Sequence, residues 1–167
     1  MGNPHEYQHI DWINMPKSDM TLNSLPGIME SLSGENHKIN IISYLAEWCP
    51  NCHYEAIALR DLYRKFSKLS IEMAVVMNYS EIKKSMSFVK SYRLKMNIFY
   101  GELIEKQEDS LDKLLFTQFR KKNNDLRKWG TPFHIIIKNG NIENIGIVKG
   151  EFMIKEIEDF LTNKLMT

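Results

Sequence analysis

Cys49 and Cys52 are the chain's two cysteines, and only Pro50 and Asn51 separate them, within the stretch YLAEWCPNCHYE from Tyr44 to Glu55. Thiols so close together suit a redox pair, half of a metal site or a short staple. A zinc site usually takes four Cys or His ligands; His37 or His53 would have to help, and neither shows the paired spacing of a zinc ribbon. A staple over so short a loop removes little entropy from the unfolded chain. The redox reading has a positive argument. A thiolate, not a thiol, attacks a disulfide, and an ordinary cysteine near pKa ~8.5 is mostly protonated at neutral pH. Unpaired N–H groups and the macrodipole at a helix N-terminus favour the anion. Cys49 falls where a helix should begin, and Cys52, one turn later on the same face, can attack a mixed disulfide formed there.

The surrounding pattern supplies the elements that hold such a pair. Ile39 to Leu45, INIISYL, is a continuous β-favouring run of the kind buried on both faces of a sheet. Cys52, Ala56, Leu59, Leu62, Tyr63, Phe66 and Leu69 recur at three- and four-residue steps, which predicts an amphipathic helix. Ile71 to Asn78 is a second buried strand, so the order is that of a parallel βαβ unit. Ser80 is placed to cap the next helix, with Ile82, Met86, Val89 and Tyr92 on its inner face. Met96 to Tyr100 reads as a short strand, and Glu105 to Trp129 mostly as helix ending at Gly130. PFHIIIK, the turn pair Asn139-Gly140 and IENIGIVKG form a strong hairpin signal. A last helix is expected from about Phe152 to Leu165. Residues 1–23 read as a loosely ordered lead-in, and 24–167 as one α/β domain.

AEWCPNC resembles the active-site motif of the thioredoxin superfamily. By motif order the resemblance spans roughly residues 24–165: strand, W-C-x-x-C, helix, strand, then GTPF, a hairpin and a final helix. It implies a thioredoxin fold, a central mixed β-sheet flanked by helices, with an extra helical segment before a cis-proline at Pro132. It also implies that Cys49 attacks a substrate disulfide and Cys52 resolves the mixed disulfide. The backbone of Thr131 would pair with an incoming peptide as an added strand, and Trp48, Pro50 and Pro132 would complete the docking surface. Glu55, three residues after Cys52, matches the W-C-x-x-C-x-x-E pattern of TlpA/ResA-like thiol-disulfide oxidoreductases, where a carboxylate can accept the proton of the second cysteine; a solvated helix residue is the plain alternative. His53 is expected to face solvent. Two departures stand out. Ser43 occupies the place of a buried Asp common in thioredoxins, removing that proton route, and Ile57 replaces a proline often found in the active-site helix.

The resemblance implies that no bound cofactor or metal is needed, that the substrates are protein thiols and disulfides, and that a separate redox partner recycles the pair. The TlpA-like character favours a reductase outside the cytoplasm, in the periplasm or cell envelope, if a signal segment was removed, and the cytoplasm otherwise. A rival reading keeps the fold but makes the protein a binding or chaperone module whose cysteines form a static disulfide or ligate a metal.

The remaining signals are weak. With 22 Lys+Arg against 21 Asp+Glu in 167 residues, no global field draws the chain to nucleic acid or anionic membrane. No apolar run reaches the roughly 18–20 residues of a membrane span, so no membrane insertion is expected, and the chain reads as a monomer. Gly2 is not a myristoylation signal, because Glu6 stands where Ser or Thr belongs. His5 to His9, HEYQH, spells the zincin motif, which needs a helix held in a domain; it opens the chain after Pro4 and is set aside. FRKKNNDLRK, Phe119 to Lys128, reads as a solvated basic helix end. Met20, Met29, Met73, Met77, Met86 and Met96 read as core packing and not as copper ligands.

Overall fold

The computed structural model describes residues 4–167; Gly2 lies outside them. Its elements in chain order are β1 (Tyr7–Gln8), β2 (Asp11–Asn14), α1 (Ile28–Leu32), β3 (Ile39–Leu45), α2 (Pro50–Phe66), β4 (Ile71–Met77), α3 (Ile82–Ser91), β5 (Asn97–Tyr100), α4 (Leu115–Lys122), β6 (Phe133–Lys138), β7 (Asn141–Val148), β8 (Glu151–Phe152) and α5 (Ile154–Leu165). Six strands form one mixed sheet in the order β2-β7-β6-β3-β4-β5. β3 lies parallel to β4 and antiparallel to β6. Every residue of β3 is buried, which its continuous apolar run requires, since a central strand has helices on both faces.

Side chains alternate across the sheet. Ile39, Ile41, Met73, Val75 and Ile136 meet Cys52, Ala56, Leu59, Leu62 and Phe66 of α2, with Ile157 and Leu161 of α5. Ile42, Tyr44, Val76, Ile135 and Ile147 face the opposite layer, with Ile28 of α1 and Phe116 and Phe119 of α4. The sheet is thus a three-layer core, and the parallel β3–α2–β4 unit brings the N-terminus of α2 to the carboxyl end of β3. This is a thioredoxin fold.

Several expectations need correction. The lead-in is not loosely ordered over its described part: β2 pairs antiparallel with β7 along Asp11–Asn14, β1 pairs with β8, and Met15 and Leu22 enter the core. Pairing covers the β7 edge, which would otherwise expose a row of unpaired backbone groups. The helix expected from Glu105 to Trp129 shrinks to one 3-10 turn, Leu111–Lys113, and α4. α4 begins where the Glu102 carboxylate accepts the N–H groups of Leu115 and Phe116 at 2.7 and 3.0 Å, capping the orphan donors. It ends at Asn124, which takes the left-handed conformation with φ 66°, a common helix stop.

The cap of α3 is Glu81, not Ser80; the Ser80 hydroxyl donates instead to Glu47 at 2.7 Å. α3 buries Ser85 and Phe88, while Ile82 and Met86 face outward. Met20 and Met29 are exposed too, whereas Met73, Met77 and Met96 are core residues. Phe152 belongs to β8, so α5 starts at Ile154. HEYQH is extended, and His5 and His9 bond to Glu151 and Glu156, not to a shared ligand.

Candidate active site

α2 places the cysteines at its tip. Cys49 is its N-cap and Pro50 its first residue, a position where the missing N–H costs nothing and the fixed φ suits the helix. The Cys49 Sγ–H donates to the Thr131 carbonyl at 3.5 Å, and the Thr131–Pro132 peptide bond is cis. Cys52 is fully buried, its sulfur accepting the Ala46 N–H at 3.4 Å. Both are free thiols. A sulfur that attacks a substrate disulfide is expected to be exposed, yet Cys49 is only 7% accessible, because the loop before β6 closes against its sulfur. α2 runs unbroken through Ile57.

The two thiols diverge. Cys49 is lowered to about 7, chiefly by a hydrogen bond from Cys52, with further help from the Cys52 and Asn51 backbone and from Thr131, against the opposing effect of burial. Cys52 is pushed well above the ordinary thiol value, first by burial and then by the hydrogen bond and charge of Cys49. The Thr131 hydroxyl is buried without a hydrogen-bond partner of ordinary length, and it helps to lower both thiols.

Trp48 stands at the rim. Its indole N–H donates to the Tyr79 carbonyl at 2.9 Å, Trp129 packs edge-on with centroids 5.0 Å apart, and Lys106 Nζ sits 4.0 Å from its ring centroid. Pro50 is exposed beside the pair. Cys49, Trp48, Pro50, Thr131 and Pro132 therefore meet at one end of the sheet.

Glu55 is neither solvated nor on the rim. It is 1% exposed, and its Oε2 accepts the Phe152 N–H at 2.7 Å and faces His134 Nε2 at 2.6 Å. His53 is not solvent-facing either: it is half-buried, its Nε2 lies 2.7 Å from the Glu47 carbonyl and its Nδ1 bonds the Tyr92 hydroxyl.

The basic run is also corrected. Arg120 is fully buried and Asp125 nearly so. Asp125 holds Arg127 through both oxygens at 3.0 and 2.9 Å, and Arg120 lies 3.7 Å away. Burial would raise the Asp125 carboxyl, but the hydrogen bonds and charge of Arg127 and the charge of Arg120 together hold it below the usual range. Arg127 in turn donates to the Pro132 carbonyl at 3.1 Å and the Thr131 carbonyl at 3.5 Å. These residues clamp the loop that faces Cys49. Gly130 is needed there: its φ is +73° and a Cβ would come within 2.0 Å of the Arg120 guanidinium. Asp125, alone among five basic neighbours, was the readable trace of this clamp. His134, an ionisable side chain inside a buried apolar strand, was another. Asn51 was a third residue missed: it is buried, and its amide donates to the Pro4 carbonyl and to Glu151 at 2.9 and 3.1 Å.

Among the described residues no group of three or more His, Cys, Asp or Glu side chains is placed to hold a metal, and no helix is long and apolar enough to cross a membrane. A thioredoxin fold carrying a C-P-N-C pair at the tip of α2 defines the class, the thioredoxin-type thiol-disulfide oxidoreductases. Residues 15–142 match the AhpC/TSA family, and the chain belongs to that family. No curated protein matches it. Similar folds occur in a secreted disulfide oxidoreductase of Mycobacterium tuberculosis homologous to E. coli DsbE (15% identity, 87% of this chain and 99% of that one, TM-score 0.57). They occur also in DsbF of the same organism (16%, 87% and 97%, 0.57) and in a thioredoxin-related protein from Neisseria meningitidis serogroup B (18%, 80% and 90%, 0.58).

Proposed function

We propose that the chain reduces disulfides in protein substrates outside the cytoplasm. Cys49, as thiolate, attacks one substrate sulfur; a mixed disulfide forms and the other substrate sulfur leaves with the electron pair. Cys52 then gives up its proton to Glu55 and attacks the Cys49 sulfur. The Cys49–Cys52 disulfide closes, the second substrate thiolate departs, and a separate reductant restores the dithiol. Trp48, Pro50, Thr131 and the cis Pro132 form the surface on which the substrate strand docks. No bound cofactor is needed, since the cysteines carry the electrons.

The observation that carries this reading is the divergence of two thiols on one helical turn, Cys49 lowered to about 7 beside the Thr131 carbonyl and Cys52 raised in the core. A static structural disulfide has no use for it. The fold shared with a secreted disulfide oxidoreductase supports the location. Equilibration with defined glutathione ratios tests the direction: a reductase gives a potential well below that of protein disulfide isomerase, about −180 mV, and one near the ~−120 mV of a disulfide-forming enzyme overturns it.

A further inference from the structure

Behind the cysteines a buried polar column links four elements. The Ser43 hydroxyl on β3 lies 2.7 Å from His134 Nδ1 on β6, His134 Nε2 lies 2.6 Å from Glu55 Oε2 on α2, and the Phe152 N–H on β8 donates to that same oxygen at 2.7 Å. Ser43 and His134 face each other directly in the antiparallel register, on the side of the sheet that α2 covers. The imidazole is fully buried and stacks on the Phe152 ring with centroids 3.8 Å apart.

An aliphatic side chain would fill position 134 in this apolar strand at less risk, because buried polar groups are costly unless bonded and a buried ion pair rarely adds net stability. The column therefore calls for a use. The Phe152 N–H can only donate, so Oε2 is an acceptor. When Ser43 donates to Nδ1, the imidazole proton sits on Nε2 and points at Oε2. Two donors then converge on one carboxylate oxygen, and Oε1 carries neither of these bonds. Cys52 lies one turn before Glu55 on the same buried face of α2.

We propose that Ser43 and His134 are positioning residues for the resolving step, fixing Glu55 as a carboxylate whose second oxygen takes the Cys52 proton. In that step the Cys52 S–H bond breaks, its proton goes to Glu55, its sulfur bonds to Cys49, and the substrate sulfur leaves with the electron pair of the broken mixed disulfide. Glu55 also lines a cavity of about 390 Å³ together with His5, Tyr7, Tyr54 and Glu151. Ser43 thus supports, through His134, the proton acceptor of Cys52, although its position was expected to contribute nothing to proton transfer. The inference rests on the Glu55 role given above, and its test separates the two.

Reduced protein is mixed with an aromatic disulfide that releases a coloured thiolate. The first release reports Cys49 attack and the second reports Cys52 resolving the mixed disulfide, so each variant's second rate is divided by its own first rate. Glu55→Gln lowers the ratio about a hundredfold, the scale of a lost general base. His134→Gln lowers it about tenfold and moves its pH profile upward, and Ser43→Ala lowers it about threefold, as lost charged and neutral hydrogen bonds imply. Ser43→Thr, which keeps the hydroxyl, restores it. The other titratable groups lining the cavity at Glu55 are Tyr54, Asp61 and Lys65 on α2, His5 and Tyr7 on the N-terminal segment, Glu151 on β8 and Glu158 on α5, all unchanged in these variants. A Glu55→Gln ratio equal to wild type overturns the Glu55 role and this inference together. A slow Glu55→Gln beside wild-type ratios in His134→Gln and Ser43→Ala overturns this inference alone. Should His134→Gln fail to fold, the Ser43→Ala and Ser43→Thr pair decides it by the same ratio and pH profile.

Discussion

Cys49 and Cys52 begin the same helix three residues apart, yet their surroundings have opposite characters. Around Cys49 the chain supplies a helix tip with backbone donors, the Thr131 hydroxyl, and a loop pinned from behind by Arg127. Around Cys52 it supplies apolar side chains from β3, β4 and α5, with the Ala46 N–H at its sulfur. One turn of helix, about 5 Å of rise, is enough to carry a thiol from donors that favour the anion into a medium that penalises it. The difference teaches that position along the helix axis, more than residue identity, assigns the attacking and resolving roles.

The sharpest break in the comparison is to remove one thiol at a time. Cys49→Ser should bring reduction of a peptide disulfide down to background, a loss on the order of a thousandfold or more, because the covalent path is gone. Cys52→Ser should still attack but stall, and mass spectrometry should find substrate held on Cys49. Equal trapping on Cys52 in the Cys49→Ser protein would erase the distinction. Next in size is the clamp. Asp125→Ala leaves the buried Arg120 without its carboxylate, and breaking a buried pair costs about 3–5 kcal/mol, readable in urea unfolding. A loss under about 1 kcal/mol would show that the loop facing Cys49 does not depend on it.

Legibility followed the kind of physics involved. The β3–α2–β4 unit, the β6–β7 hairpin and the cysteine pair were readable because hydrophobic period and spacing are local properties of the string. β2 was not, since its four residues gain their structure from the open edge of β7, a partner more than a hundred residues away. Glu55 was identified but not its surroundings. Its burial depends on His134 and the Phe152 N–H meeting it from two other elements, and no helical period reports that. The basic run misled for a related reason: composition said solvent, while the fold turned Arg120 inward against Asp125 and Gly130.

The thiols themselves give the next test. Alkylation of Cys49 by iodoacetamide should be half-maximal near pH 7 and fall about tenfold per unit below it, since a group lowered from the ordinary value is protonated only under its folded pKa. At neutral pH that is on the order of fifteenfold more thiolate than an ordinary cysteine of pKa ~8.5 would show. In the Cys49→Ser protein, Cys52 should begin to react only above the ordinary thiol range. Cys52→Ala should move the Cys49 midpoint upward, because the hydrogen bond from Cys52 is its largest stabiliser. A midpoint that stays near 7 would transfer the credit to the helix tip and Thr131.

The smallest effect separates shape from charge at the rim. Lys106 lies 4.0 Å from the Trp48 centroid and 5.9 Å from that of Trp129, so Lys106→Ala should cost about 0.5–1 kcal/mol, the scale of an exposed cation–π contact. Its loss should loosen the Trp48–Trp129 packing, seen as a change in tryptophan emission, and weaken substrate docking more than it slows turnover. The Cys49 alkylation midpoint should stay put, because the groups that lower this thiol are Cys52, Asn51 and Thr131. A midpoint that climbs in Lys106→Ala would mean that the ammonium reaches the sulfur electrostatically, and the rim would then belong with the machinery that activates Cys49, not with the surface that receives its substrate.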